Sequence, residues 1–235
     1  MPALSQAREH AKSTNCLGNM KQLGMGLGLY THQFDYYPCA NVNVPYSGVL
    51  YKGGMPSWKL QIMTMLTSLS ADAVERERQI SSGVCLCPSY TMAEKATGAV
   101  GSKGGYGYPY TGQSAPGKIT STLGYRGATD NYTNAIRKTT EVKRPSLTGA
   151  VGETDDYPTG ELNGNRSTLV YVYTTSSSTA FVRGRHKNYT YMNIAWCDGH
   201  ASSMRNIDLT TGKPVPGFEG NKEYDQLYYW NIISK

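Results

Sequence analysis

Apolar positions recur at helical spacing through the first thirty-odd residues. At 100° per residue, Cys16, Met20, Leu23, Leu27, Tyr30 and Phe34 fall within one narrow arc, the stripe that a helix buries against its own domain. The pattern predicts one long helix starting almost at the first residue, with Pro2 in the first turn, where a missing N–H costs nothing. The stripe begins only halfway along. The opposite flank carries a second apolar seam of Leu4, Ala7, Ala11, Gly18, Met25 and Leu29, built partly of small residues that permit close helix contact. One domain cannot easily cover both flanks. Gly18, Gly24, Gly26 and Gly28 each cost roughly 1 kcal/mol against Ala inside a helix, so packing rather than propensity must hold this one. A helix embedded in its later half and bare in its earlier half is built to meet other helices. The plainer alternative is an ordinary amphipathic helix with a frayed start.

Beyond it, Pro38, Pro45, Gly53, Gly54 and Pro56 break any regular element. Ser57 can cap a short helix whose core face is Trp58, Ile62, Met65, Leu66 and Leu69, and DAVERERQI reads as a solvated helix or turn that Gly83 ends. Val84 to Pro88 reads as a short edge strand stopped by its proline. Residues 98–127 hold nine glycines with Tyr106, Tyr108, Tyr110 and Tyr125 among them. Such tyrosines either tack a long loop to the domain or stack on sugars. From Glu141 the pattern turns to strands: SLTGAVGE, STLVYVYTT, YTYMNIAWC and ASSM. Between the last two, Asp198-Gly199 predicts a two-residue type I′ hairpin. In that register Cys197 faces His200, Ala195 faces Ser202, Trp196 faces Ala201 and Ile194 faces Ser203. Met192, Ile194 and Trp196 then form the buried face under the long helix, with Cys197 beside His200 on the other. The tail from Leu209 returns to an aromatic end where Trp230 closes the core. The expected fold is α+β: one domain over 1–235, with the helix in 1–35, a loop-rich αβ region in 36–140 and a β-sheet region in 141–235.

Composition sharpens this reading. The 235 residues are 39% hydrophobic and only 17% charged, with 26 Gly and 19 Tyr against 3 Phe, which favours a loop-rich β protein with a surface common outside the cytoplasm. The net charge of +6 comes from scattered Lys and Arg without a basic run longer than two, so a nucleic-acid partner is not expected. No apolar run approaches the roughly 18 to 20 residues that cross a bilayer, and no signal peptide stands at the start. Because the chain opens in mid-pattern, an anchoring or export segment before Met1 is expected. Cys16, Cys39, Cys85, Cys87 and Cys197 are odd in number. In an oxidising compartment at most two bridges form. Zinc is the rival use, although Cys-Leu-Cys has the wrong loop for a zinc knuckle.

Taken in order, PALSQAREHAKSTNCLGNMKQLGMGLGLY, DYYP, SWKLQIMTML, CPS, VKRPSLTGAVGET, and RH followed by DGH resemble the pilin-like proteins of planctomycete and Lentisphaerae bacteria, the prepilin-type cleavage/methylation proteins with a C-terminal His and Asp-Gly signature. The resemblance implies a type IV pilin-like fold whose helix anchors in the inner membrane and packs in a filament, with a β-sheet head in the periplasm or outside the cell. It implies a prepilin peptidase site and an apolar helix half before Met1. It also implies a Cys16–Cys87 disulfide, with Cys39–Cys85 as a second. His186, Asp198 and Gly199 match the signature, but eleven residues separate His186 from Asp198, more than the family usually shows. Extra residues or a bulge should begin the strand before the hairpin.

Few groups can carry chemistry. Glu153, Asp155, Asp156 and Glu161, with Asp198, are calcium candidates, in a place near the C-terminus where pseudopilins resemble calcium binders. A Cys197–His200 nucleophilic pair lacks an orienting third group and oxyanion donors, and no glycine run opens a helix after a strand to hold phosphate. Neither enzyme activity nor a cofactor is expected. The leading expectation is a pilin or pseudopilin head of a type IV pilus or type II secretion filament, packing on other subunits through Leu4, Ala7, Ala11 and Gly18. The alternatives are a cell-surface carbohydrate- or solute-binding module on a pilin-type anchor and, third, a metal-dependent hydrolase around His186 and Asp198.

Overall fold

The computed structural model describes residues 2–39, 58–80, 82–90, 105–110, 123–125, 135–157, 169–170, 179–182, 185–187 and 191–205. Its helices are α1 (Pro2–Phe34), α2 (Trp58–Leu66) and α3 (Ala73–Ile80). Its strands are β1 (Tyr106–Gly107), β2 (Pro109–Tyr110), β3 (Gly124–Tyr125), β4 (Ala135–Ile136), β5 (Gly149–Tyr157), β6 (Leu169–Val170), β7 (Thr179–Val182), β8 (Tyr191–Trp196) and β9 (Ala201–Arg205).

At 1.5 Å per residue α1 is about 50 Å long. It ends where Asp35 takes a left-handed conformation, φ 59°, and returns its N–H to Thr31 O. The expected stripe is the buried one: Cys16, Met20, Leu23 and Leu27 have no exposed surface, and Tyr30 is buried beside a half-buried Phe34. From Ala3 to Asn15 no residue is buried, and the buried part of the helix begins at Cys16.

Helix α2 packs against α1 at Gly26, where an added Cβ would sit 2.7 Å from Ile62 Cγ2 and 2.8 Å from Leu66 Cγ. More of α2 is buried than its apolar spacing indicates, because Lys59 and Gln61 are inside as well. Gln61 does the work of a strand partner for the chain leaving α1. Its Nε2 donates to Cys39 O (2.7 Å), and its Oε1 accepts from Cys39 N–H and Tyr30 OH (both 3.1 Å). A buried amide so satisfied carries no desolvation penalty of the unpaired kind. Met65, Leu66 and Leu69, expected on the core face, are half-buried, and Ser57 lies outside the described residues.

The edge strand expected at Val84–Pro88 is absent. Gly83, at φ 54°, opens a single 3-10 turn, Gly83–Cys85, and Leu86 N–H returns to Gly83 O. With Pro88 unable to donate to a ladder, a carbonyl of the segment is satisfied from α1 instead: Asn19 Nδ2 donates to Leu86 O at 3.0 Å. This docking buries both Cys85 and Cys87 against the helix.

The main sheet has strand order β1-β5-β8-β9, all pairs antiparallel, with β7 joining β5 farther along, at Thr154–Tyr157. Strands β2 and β6 form a parallel pair and β3 and β4 an antiparallel one. A bulge at Ala150 lets Gly149 and Val151 oppose successive residues of β8, Trp196 and Ala195. Helix α1 lies against β8, β9 and the near end of β5. The architecture is α+β, a long N-terminal helix on an antiparallel sheet, consistent with a pilin-like fold.

The β8–β9 hairpin is where expected, but its register differs by one residue. Ala195 pairs with Ala201, Ile194 with Ser202 and Asn193 with Ser203. The connection is a three-residue loop, Cys197-Asp198-Gly199, in which Gly199 N–H closes a turn on Trp196 O (2.9 Å) and only Gly199 takes positive φ, 90°. A type I′ turn needs positive φ at Asp198 too, and Asp198 does not adopt it. The one-residue slip exchanges the faces. Asn193 points toward α1, its Nδ2 donating to Ser13 O, and shares that face with Ala195 and Cys197. Met192, Ile194 and Trp196 are buried on the far face, where the Trp196 ring stacks on His200 and its Nε1 donates to Ser202 Oγ. Strand β8 is therefore buried on both sides.

The eleven-residue spacer is absorbed before β8: His186 and Tyr191 exchange backbone hydrogen bonds around a turn whose Lys187 has φ 50°. In the glycine-rich stretch, Tyr106 and Tyr108 are fully buried, Tyr108 stacked on Trp58, so they tack the chain to the core. Neither ring is available to stack on a sugar. Most of STLVYVYTT and the tail with Trp230 lie outside the described residues.

Candidate functional site

Two places on the molecule are unusual. The first is the free flank of α1. Leu4 is 52%, Met25 57% and Leu29 50% exposed, Ala7 and Ala11 are exposed too, and Gly18 has open space where a Cβ would project. All six residues of the expected outer seam thus stand clear of the sheet.

The second lies under the other flank, where α1 crosses β5. Cys16 is the first buried residue of α1, Cys87 sits in the segment docked on it, Glu153 is on β5 opposite Tyr106 of β1, and His186 precedes the turn into β8. One donor atom from each lies within 4.8 Å of the other three, and all four side chains are buried. Cys16 Sγ donates to Glu153 Oε1 at 2.9 Å, and His186 Nε2 lies 2.8 Å from the same oxygen without the alignment of a hydrogen bond. Asn193 Nδ2 donates to Oε1 as well (3.3 Å), while Arg185 N–H donates to Oε2 (3.1 Å). Tyr106 OH donates to Cys16 Sγ at 3.2 Å and accepts from Asn19 Nδ2. Ser89 Oγ meets the other ring nitrogen of His186, Nδ1, at 3.2 Å.

The groups perturb one another strongly. Burial pushes the Cys16 thiol up, and its contacts with Cys87 and Glu153 push it further. Burial would raise Cys87 also, but its contacts with Cys16 and His186 outweigh it and lower the thiol to about 6. For His186 burial acts to lower the value, yet the contacts with Cys87 and Glu153 raise it to about 10. Both shifts run in the direction of a Cys87 thiolate beside a His186 imidazolium.

The expected site residues sort differently from their sequence roles. Cys16 and Cys87 are neighbours, as the implied disulfide requires, but no disulfide joins them or any other pair of the five cysteines in this structure. Glu153, Asp155 and Asp156 belong to a strand rather than a cation-binding loop, the latter two pairing with Phe181 and Ala180. Glu153 is committed to the buried cluster, Asp198 Oδ1 to the N–H and ring of His200 in its own turn (3.1 and 2.6 Å), and Glu161 lies outside the described residues. Cys197 and His200 are not a pair: the thiol is buried toward α1, and burial raises its pKa, whereas His200 is exposed on the far face. His186 bridges Tyr191 at the start of β8, and the Asp198-Gly199 turn follows the end of that strand. Gly199 instead lies against α1, where a Cβ on Gly24 would come within 2.3 Å of Gly199 O. Asn193, Ser89, Arg185 and Asn19 carry no chemical signal in sequence, and only their positions in space recruit them.

No helix among the described residues is long and apolar enough to cross a membrane. A protein-family model, SBP_bac_10, described as "Protein of unknown function (DUF1559)", matches residues 5–143, more than half of the chain. The match includes Cys16 and Cys87 and ends before Glu153 and His186. No curated protein matches the chain, and neither does any solved structure.

Proposed function

The chain belongs to the DUF1559 family, and from that premise we propose that it is a pilin-like structural subunit of the cell envelope, the head of a pilin or pseudopilin that assembles with other copies through the free flank of α1. The family match and the helix-on-sheet architecture support the coarser reading, a pilin-like or surface protein. One observation carries the finer one: α1 gives Cys16, Met20, Leu23 and Leu27 to its own core and leaves Leu4, Ala7, Ala11, Met25 and Leu29 uncovered on the opposite flank. Seams of small and apolar residues allow helices to approach closely, which is what a helical filament core requires. The reading is of a non-catalytic protein, held in the envelope and exposing its sheet domain to the periplasm or the exterior.

A photo-reactive residue at position 4 or 7, in cells making the protein, tests it. Adducts between copies, joined helix to helix, are expected at both positions, with none at Lys187 on the sheet side. Light scattering on the 235-residue chain should give a monomer or a weak associate. A tight, closed dimer through residues 2–15 would leave no surface for a filament and would overturn the proposal.

A further inference from the structure

The buried cluster contains more ligating chemistry than a folded core needs. We propose that Cys16, Cys87, Glu153 and His186 form a closed site for one zinc ion, which fastens α1 to the sheet.

The donor set points to the metal. Two thiolates and an imidazole select a borderline-soft ion over calcium or magnesium, which take oxygen ligands, and two sulfurs, one nitrogen and one carboxylate oxygen are a tetrahedral zinc complement. With bonds of about 2.0–2.3 Å, a tetrahedral zinc ion keeps its donors roughly 3.3–3.8 Å apart. The four donor atoms already lie within 4.8 Å of one another, so the two short contacts at Glu153 Oε1 need only open slightly. With four protein donors no position stays open for substrate, which makes the site structural.

Two further observations are independent of residue type. The first is His186 Nε2, buried, 2.8 Å from a carboxylate oxygen and yet in no hydrogen bond. A buried ring nitrogen facing into the cluster in that way stands in a ligand's position. The second is the surrounding shell, which does what outer shells of metal sites do. Ser89 Oγ occupies His186 Nδ1 and leaves Nε2 facing inward. Tyr106 OH orients Cys16 Sγ, while Asn193 Nδ2 and Arg185 N–H hold the Glu153 carboxylate from both oxygens. Two thiolates and a carboxylate around a divalent ion leave one net negative charge. The competing use of the same atoms is a Cys16–Cys87 disulfide, which would consume both thiolates and leave Glu153 and His186 facing a neutral bridge.

The test uses the full chain, purified without chelator, with elemental analysis and a thiol count after denaturation in chelator. About one zinc per chain and five reactive thiols are expected. Cys87→Ser and His186→Ala should lose the metal, and Cys85→Ser, buried nearby but outside the cluster, should keep it. Because the two loss variants can fail through misfolding, cobalt(II) is titrated into reduced, metal-free wild-type chain as well. A thiolate-to-cobalt charge-transfer band with tetrahedral d–d absorption, saturating at one equivalent and reversed by zinc, is expected. A disulfide mapped between Cys16 and Cys87, the absence of both zinc and the cobalt band, or a Cys85→Ser variant as empty as Cys87→Ser would each overturn the site.

Discussion

Gly24 and Gly199 meet backbone to backbone, and this contact explains why a helix tolerates glycine at that point. A Cβ on Gly24 would lie 2.3 Å from Gly199 O and 3.0 Å from its carbonyl carbon, atoms that cannot swing aside as a side chain can. Gly24→Ala is therefore expected to cost about 2–3 kcal/mol despite the better helix propensity of alanine, read as a lower midpoint in thermal or urea unfolding. Gly18 faces open space, so Gly18→Ala should gain up to about 1 kcal/mol. Equal effects of the two substitutions would refute the close approach. Sequence shows that both glycines burden a helix, but not which one another backbone requires. The same limit hides Glu153. Within Gly-Glu-Thr-Asp-Asp it reads as one of several solvated acids, whereas its carboxylate binds Cys16, 137 residues away, and Asn193, 40 residues away. Periodicity sees neighbours along the chain, and a buried cluster assembled across the fold leaves no period.

At the scale of elements, the legible parts were those whose signal is local and repeated. The buried stripe of α1 is visible because five of its residues recur at helical spacing, and the two strands around Asp198-Gly199 are visible because their apolar runs flank a turn. Register was not, since Asp-Gly serves both a two-residue I′ turn and the last positions of a three-residue loop, and the choice falls to tertiary contact. Here Cys197 N–H is taken by Thr148 O and Gly199 is pressed on Gly24, which favours the longer loop. The two flanks of α1 give an element-scale prediction. Leu23→Ala, on the fully buried stripe, should cost about 3 kcal/mol by cavity formation. Leu4→Ala should change the unfolding midpoint of the isolated chain by less than about 0.5 kcal/mol while reducing copy-to-copy cross-linking. Hydrogen exchange should follow the same division, fast for amides in 5–15 and slow from Cys16 onward. Strong protection of residues 5–15 in the monomeric chain would show that the free flank is covered after all.

For the whole molecule, the question is what keeps a rod of about 50 Å seated on a sheet that touches only its later half. Apolar burial along Met20, Leu23 and Leu27 is one fastening, with α2 closing on Gly26. The buried cluster is the other, and it sits at the point where the helix leaves the domain. Its four donors come from α1, the segment after α3, β5 and the turn into β8, so one ion there would tie together parts of the chain that lie far apart in sequence. Whatever binds the folded chain and not the unfolded one adds RT ln(1 + [L]/Kd), about 4 kcal/mol when the free ligand stands a thousandfold above Kd. For a chain of this size that corresponds to a rise on the order of 10 °C in Tm. Excess chelator should therefore lower the Tm of the zinc-loaded, reduced chain by that order, and amides of α1 from Cys16 to Leu23 should lose protection together with those of β5 at Glu153. Free-thiol chain carrying Cys16→Ser should melt at the chelated value whether or not zinc is added. If chelation leaves both the midpoint and the exchange pattern unchanged, apolar packing alone seats the helix, and the cluster is a polar network that the core satisfies by hydrogen bonds without an ion.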